Sequence, residues 1–126
     1  MKLFGLLLFA FATVAHGSDF ADRVAQGKQT LASPAGQKYE ASWGNTMGAV
    51  LVACVPVGST SPANLGRFTF VADVSPVGAV SAVAVRPSTA VSECFARHFR
   101  LARLPPPPIQ RPGSSFPVSD DIVVSP

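Results

Sequence analysis

Between residues 67 and 86, apolar and polar positions alternate, break, and alternate again. Successive side chains of an extended chain point to opposite faces, so Phe68, Phe70, Ala72 and Val74 share one side. Thr69, Val71 and Asp73 share the other. Ser75-Pro76-Val77-Gly78 then places Pro early and Gly late, the chemistry of a tight reversal. In the second run Val80, Ala82 and Ala84 alternate with Ser81, Val83 and Val85. Val83 and Val85 are assigned to the core side, facing the phenylalanines, and the run of branched residues suits a pleated surface. The pattern predicts a β-hairpin.

The period then changes. Val91, Cys94, Phe95, His98 and Ala102 recur at helical spacing, and Phe99 and Leu101 widen the apolar arc, predicting a helix over 91–104. Pro87-Ser88-Thr89 offers it a hydroxyl cap. Arg97, Arg100 and Arg103 lie toward its other side, where late basic residues suit the negative end of a helix. Pro105 to Pro108 cannot continue it and predict a short polyproline II segment. A loop follows over 109–114. Phe116, Val118, Asp120, Ile122 and Val124 alternate as one face of a last strand. Asp120 is a misfit on that face, so a bulge near Asp120-Asp121, or a strand starting at Ile122, is expected.

Upstream, Ser18-Asp19 can cap a helix over 20–31, with Phe20, Val24 and Leu31 beside Ala21 and Ala25 on a weakly apolar face. Ser33-Pro34 breaks it or starts the next helix, with Ser33 as cap and Pro34 at the first position. That second helix is expected over about 35–55. Tyr39, Trp43, Met47, Val50, Leu51 and Cys54 fall on one of its sides, a packing stripe. Gly44 and Gly48 weaken it by about 1 kcal/mol each and let another backbone come close. Pro56, Gly58 and the segment 59–62 end it in a polar loop.

Composition adds an address. Lys2 followed by an apolar run over 3–14 and the small residues of Ala15-His16-Gly17 reads as a cleavable signal peptide over 1–17. Cleavage before Ser18 fits best, and a cut after Ala15 is the alternative. The run is shorter than the ~18–20 apolar residues that cross a bilayer as a helix. The remaining segment has the length of one compact domain with one modest core. The formal charge of the 126-residue chain is +3 and falls by one with Lys2, too slight for a nucleic-acid-binding face.

The chain has two cysteines, Cys54 and Cys94. An even count in an exported protein suggests one disulfide, and two buried free thiols are the alternative. Bridging them closes a loop worth at most about 4 kcal/mol in chain entropy. Their spacing excludes a CxxC redox site. With His98 as the one histidine beyond the leader, they fall short of the four ligands usual in structural zinc, and no metal or cofactor is expected.

The run Gly66-x-Phe-x-Phe-x-Ala-Asp-Val-x-Pro-x-Gly-x-Val-x-x-Val-x-Val-x-x-Ser, followed by a cysteine-bearing helix, a proline cluster and a final strand, resembles the C-terminal domain of the TonB/TolA superfamily. It is most similar to small exported variants with one cysteine before the hairpin and a second in the later helix, here Cys54 and Cys94. The resemblance spans residues 39–124. It implies a periplasmic, non-enzymatic domain that works by protein–protein contact. Ser88-Thr89-Ala90-Val91 stands where energy-transducing members carry an aromatic-proline pair, so what carries over is the fold and a mode of binding.

The expected architecture is α+β: a two-layer sandwich of helices on a three-stranded antiparallel sheet, in the order α-α-β-β-α-β. Residues 1–17 form the leader, 18–34 a short helix and linker, and 35–126 the TonB-C-terminal-like domain. Catalytic chemistry finds little footing. His98 has Ser88, Ser92 and Glu93 near it in sequence, without a nucleophile-elbow motif. Asp73 with Asp120-Asp121 matches no metal motif, and adjacent strand carboxylates point to opposite faces. Arg67, Arg86, Arg97, Arg100, Arg103 and Arg111 read as solvated charges, and the proline run as a helix stop.

Two functional readings follow. One is an envelope interaction or scaffold module that adds a partner strand at an open sheet edge, with Phe116, Val118, Ile122, Arg97 and Arg100 as candidate partner contacts. It involves neither nucleic acid nor a lasting membrane anchor. The other is a small ligand-binding protein or hydrolase with a pocket near Tyr39, Trp43 and His98.

Overall fold

A computed structural model describes residues 19–56, 58–62, 65–108 and 111–125. The leader over 1–17, the Ser18 cleavage point and part of the 109–114 loop lie outside the described residues. The chain forms helices α1 (Asp19–Ala32), α2 (Pro34–Ala41) and α3 (Gly44–Cys54), strands β1 (Gly66–Val74) and β2 (Val80–Arg86), helix α4 (Ala90–Leu101) and strand β3 (Phe116–Val124). The strands form one antiparallel sheet in the order β2-β1-β3. The α+β class and order agree with the sequence pattern, with the second helical stretch in two segments.

The phenylalanine side of β1 faces α4. Phe95 and Phe99 stack one turn apart with ring centroids at 5.1 Å. Phe95 meets Phe68 and Phe70 at 5.2 Å each, and Phe99 meets Phe70 at the same distance. Each such pair contributes about 0.5–1.5 kcal/mol beyond the area it buries. Helix α4 starts on the predicted cap. Ser92 N donates to Thr89 Oγ1 at 3.0 Å, and Thr89 N donates back to Ser92 Oγ at 2.8 Å. Tyr39 of α2 extends the core along β3, edge-on to Trp43 at 5.5 Å and to Phe116 at 5.3 Å. Its hydroxyl donates to Pro105 O at 2.8 Å, tying the proline run to α2.

Helix α1 packs on the opposite face. Antiparallel partners point to the same side, so Thr69, Val71 and Asp73 share that face with Asp121, Ser119 and Pro117. Lys28 donates to Asp121 Oδ2 at 3.1 Å, Arg23 approaches Asp73 at 3.9 Å, and Phe20 lies under the Arg86 guanidinium at 4.7 Å. Helix α1 therefore adds a layer behind the sheet that the other helices cover in front. Leu31 and Gly36 take the chain round to the front: a Cβ on Gly36 would lie 2.2 Å from Thr30 O.

Local details differ from the expectation. The stretch expected as one helix over 35–55 breaks at Ser42-Trp43. Ser42 Oγ and Ser42 N both donate to Tyr39 O, and Trp43 N turns to Glu40 O at 3.1 Å. This tightening re-aims the axis and sinks Trp43 into the core at 2% exposure. Helix α4 ends at Leu101, short of the expected Leu104. Leu104 precedes a proline, which disfavours helical backbone, and its N–H goes to Gly78 O at 3.0 Å instead. Gly78 has φ +87°, and a Cβ there would lie 1.9 Å from Leu104 O.

The bulge expected in β3 near Asp120-Asp121 is absent, because β3 pairs with β1 without interruption from Phe116 to Val124. The irregularity sits in β2 instead. Asp73 pairs with Ser81 and Val71 with Ala84, so Ala82 and Val83 together oppose Ala72, with Ala82 at φ 51°. The shift breaks the simple alternation. Val80 is buried with Val83 and Val85, while Ala82 turns outward.

Two glycines test this packing. A Cβ on Gly27 would lie 2.5 Å from Ser119 N and Val118 C, whereas one on Gly48 meets nothing within 4 Å. In urea titrations Gly27→Ala should lose about 1–3 kcal/mol through the forced separation of α1 from β3. Gly48→Ala should gain up to about 1 kcal/mol from helix propensity.

Candidate functional site

Strand addition needs an unpaired edge, and β2 and β3 are the edges of this sheet. On β3, Pro117 faces Asp73. Proline has no N–H to give, so this is a pair whose backbone groups point away from one another. By alternation the N–H and C=O of Ser119, Asp121 and Val123 point out of the sheet. Ser119 is only 2% exposed, closed over by Gly27 of α1. The Asp121 N–H is taken by Asp120 Oδ1 at 2.8 Å. The open part of this edge is its end around the exposed Val123.

The β2 edge is blunted in another way. Arg23 of α1 donates to Ala82 O from behind, and Arg100 of α4 donates to Val83 O at 3.0 Å. Two arginines thus occupy the carbonyls of the bulge, and the bulge itself spoils the edge as a template.

The candidate partner contacts sort accordingly. Phe116 and Val118 are core residues, and Ile122 packs against the core, so their side chains do not face a partner. Arg100 is held by Val83 O, while Arg97 is exposed. Arg103 reaches Val77 O at 3.3 Å and Arg86 lies over Phe20, so the arginines are dispersed rather than gathered.

Cys54 and Cys94 are joined as a disulfide, with Cα atoms 5.7 Å apart. It fastens the last residue of α3 to the first half of α4. Beside it the two helices leave a groove of about 480 Å³ lined by Asn45, Ala49, Val50, His98, Leu101 and Arg103, among others. Leu101 is 87% exposed at its rim, and Val52 of α3 is 61% exposed nearby in sequence. No charged residue occurs from residue 41 to residue 66, so the outer side of α3, with Gly48, Ala49, Val52 and Ala53 exposed, carries no charge. The helical stripe of the sequence found the inner side of α3. The missing charges would have flagged the outer one.

Trp43 does not line this groove. It is buried against Tyr39, with its indole Nε1 making no hydrogen bond among the described residues. Burial pushes the Tyr39 phenol above its ordinary value, and the neighbouring indole partly offsets the rise. The serines near His98 in sequence lie elsewhere. Ser88 donates to Glu93 Oε1 at 2.8 Å ahead of α4, and Ser92 is sealed in its cap. A second cavity of about 680 Å³ lies between α1 and the start of β3, lined by Gln26, Gln29, Ser33, Arg111, Phe116 and Pro117, among others.

The acidic residues are likewise apart. Asp73 faces Arg23. The Thr69 hydroxyl and then the Lys28 ammonium hold the Asp121 carboxyl below its ordinary value. Burial, and then the Asp120 carboxylate beside it, push the Glu40 carboxyl up. A carboxyl with a raised folded-state value costs stability while ionised, and that cost disappears as pH falls through the folded value. Glu40→Gln should therefore raise the melting temperature at neutral pH. The gain should vanish below about pH 4, where free glutamate is itself protonated. Thermal melts across that range check it.

Among the described residues no helix is long and apolar enough to cross a membrane. No family model matches the chain, and no curated protein or solved structure matches it significantly.

Proposed function

We propose that this is an exported, non-catalytic interaction module of the bacterial envelope, of the TonB/TolA C-terminal type. Its working surface is the uncharged outer side of α3 with the rim of α4. The observation that carries this reading is the exposure of Leu101 at the rim of a groove that α3 lines without a single charge. A large apolar side chain exposed beside an uncharged groove favours a partner over water. The disulfide supports an oxidising compartment. The leader pattern at residues 1–17 supports export, and the periplasm follows from the resemblance.

Charge selects the occupant. The groove beside Leu101 is flanked by His98 and Arg103 and has no carboxylate in its lining. An amphipathic helix with an apolar stripe and acidic neighbours fits such a surface. Strand addition is left with the short open end of β3 near Val123 and the Val85 position of β2, whose backbone groups also point away from β1. Ser88 is paired with Glu93 and neither lines the groove that His98 enters, which supports binding over hydrolysis, since hydrolysis needs a base within hydrogen-bond reach of its nucleophile.

Photo-crosslinking in cells expressing the full chain tests the surface, with a photoreactive side chain at position 52, 101 or 123. The expected adducts form at 52 and 101, map to a segment with an apolar stripe and acidic residues, and disappear with Leu101→Asp. Adducts from 123 alone, or from none of these positions, overturn the proposal. Export has its own check: N-terminal sequencing of the secreted chain should read from Ser18, and an intact leader on the mature protein would end that part of the reading.

A further inference from the structure

His98 stands four residues after Cys94, one turn along α4, and so on the same side of the helix. Cys54 arrives from the end of α3. The two sulfur atoms and an imidazole nitrogen of His98 all lie within 4.8 Å of one another. Among the described residues this is the one group of metal-ligating side chains drawn together. The sequence separates Cys54 from Cys94 by 40 residues and from His98 by four more, so only the disulfide and the α3–α4 contact assemble it.

We propose that opening the Cys54–Cys94 bond converts this corner into a site for a thiophilic cation, with Cu(I) as its ion. A dithiol reductant supplies the step by thiol–disulfide exchange. It gives two electrons and two protons to the cystine and leaves as its own disulfide, and Cys54 and Cys94 become thiols. The metal then displaces both thiol protons to solvent and binds the two thiolates and the neutral imidazole.

The chemistry of the set selects the ion. Two thiolates and one imidazole are soft donors, the kind that favours Cu(I) or zinc over magnesium or calcium. Three donors complete a trigonal Cu(I) shell, whereas zinc would still need a fourth ligand. Metal–sulfur bonds of about 2.3 Å place two sulfur ligands roughly 3.8–4 Å apart, inside the span the three groups already occupy. Cys54 is the terminal residue of α3, where a small outward shift disturbs no following helical turn. His98 is exposed, so its ring is reachable from solvent. The site acts in the reduced chain, whereas the docking surface belongs to the oxidised one. Failure of one reading therefore leaves the other standing.

The test titrates Cu(I) into the reduced full-length protein against a chromophoric Cu(I) chelator, with zinc as competitor. The expected result is one equivalent of Cu(I) bound, zinc failing to displace it, and far-ultraviolet circular dichroism of the folded chain in the loaded form. His98→Ala, which keeps both thiols, should weaken Cu(I) binding at least tenfold. The oxidised protein should bind far more weakly than the reduced one. Binding that ignores His98→Ala, zinc held in preference to Cu(I), or a reduced chain that unfolds and is not refolded by Cu(I) would each overturn the proposal.

Discussion

The contact between the phenylalanines of β1 and those of α4 is the constraint on which the other features depend. Phe68 and Phe70 come from a strand and Phe95 and Phe99 from a helix, and none of the four keeps more than a trace of exposure. Once these rings interlock, α4 has one angle and one height over the sheet. That placement brings Cys94 against Cys54, Arg100 to the Val83 carbonyl and Leu104 to Gly78. The disulfide then holds α3, whose own sequence offers few reasons to stay. Val50 is its one fully buried residue, and it ends without a charged side chain in its last turn. A cross-link is an economical anchor for a helix with so small a core-facing stripe.

The sheet shows how a small open β structure avoids pairing with its neighbours. Its β3 edge is straddled by α1 behind and α2 in front, close enough that Gly27 admits no side chain. Its β2 edge is kinked by a bulge at which the carbonyls of Ala82 and Val83 receive guanidinium groups from helices on opposite faces. Of the exposed large apolar side chains among the described residues, Val52 and Leu101 lie on α3 and α4, Val77 in the hairpin turn and Val123 at the end of β3. This moves the weight of an interaction-module reading from strand edges to the α3–α4 corner. The same corner holds the disulfide and the one histidine among the described residues, so the proposed docking surface and the proposed cation site share a small area of the molecule.

Electrostatics plays a local part. The back face is stitched by single contacts of Arg23, Lys28 and Phe20 with the sheet, each partly solvated and each modest. The front carries one unfavourable pair, Glu40 beside Asp120. Asp120 read as a misfit in a strand face, and the structure accommodates it without a bulge because that face is only half-buried by the time β3 reaches it. The cost appears as a raised carboxyl on Glu40 rather than as a break in the strand.

Alternation of two and of three to four fixed the elements from the chain alone. The hairpin, a hydroxyl cap ahead of α4 and the face of β3 were all legible because each depends on near neighbours in sequence. The pairing of Cys54 with Cys94 was legible too, since the count left each no other partner. Tertiary structure alone decided where α1 lies, which strand carries the bulge, where the second helical stretch breaks and which edges stay open. Each of these depends on contacts between residues far apart along the chain, such as Gly27 with Ser119 or Arg100 with Val83. The corner of Cys54, Cys94 and His98 belongs to both: helical spacing puts Cys94 and His98 on one side of α4, and only the fold brings Cys54 to them.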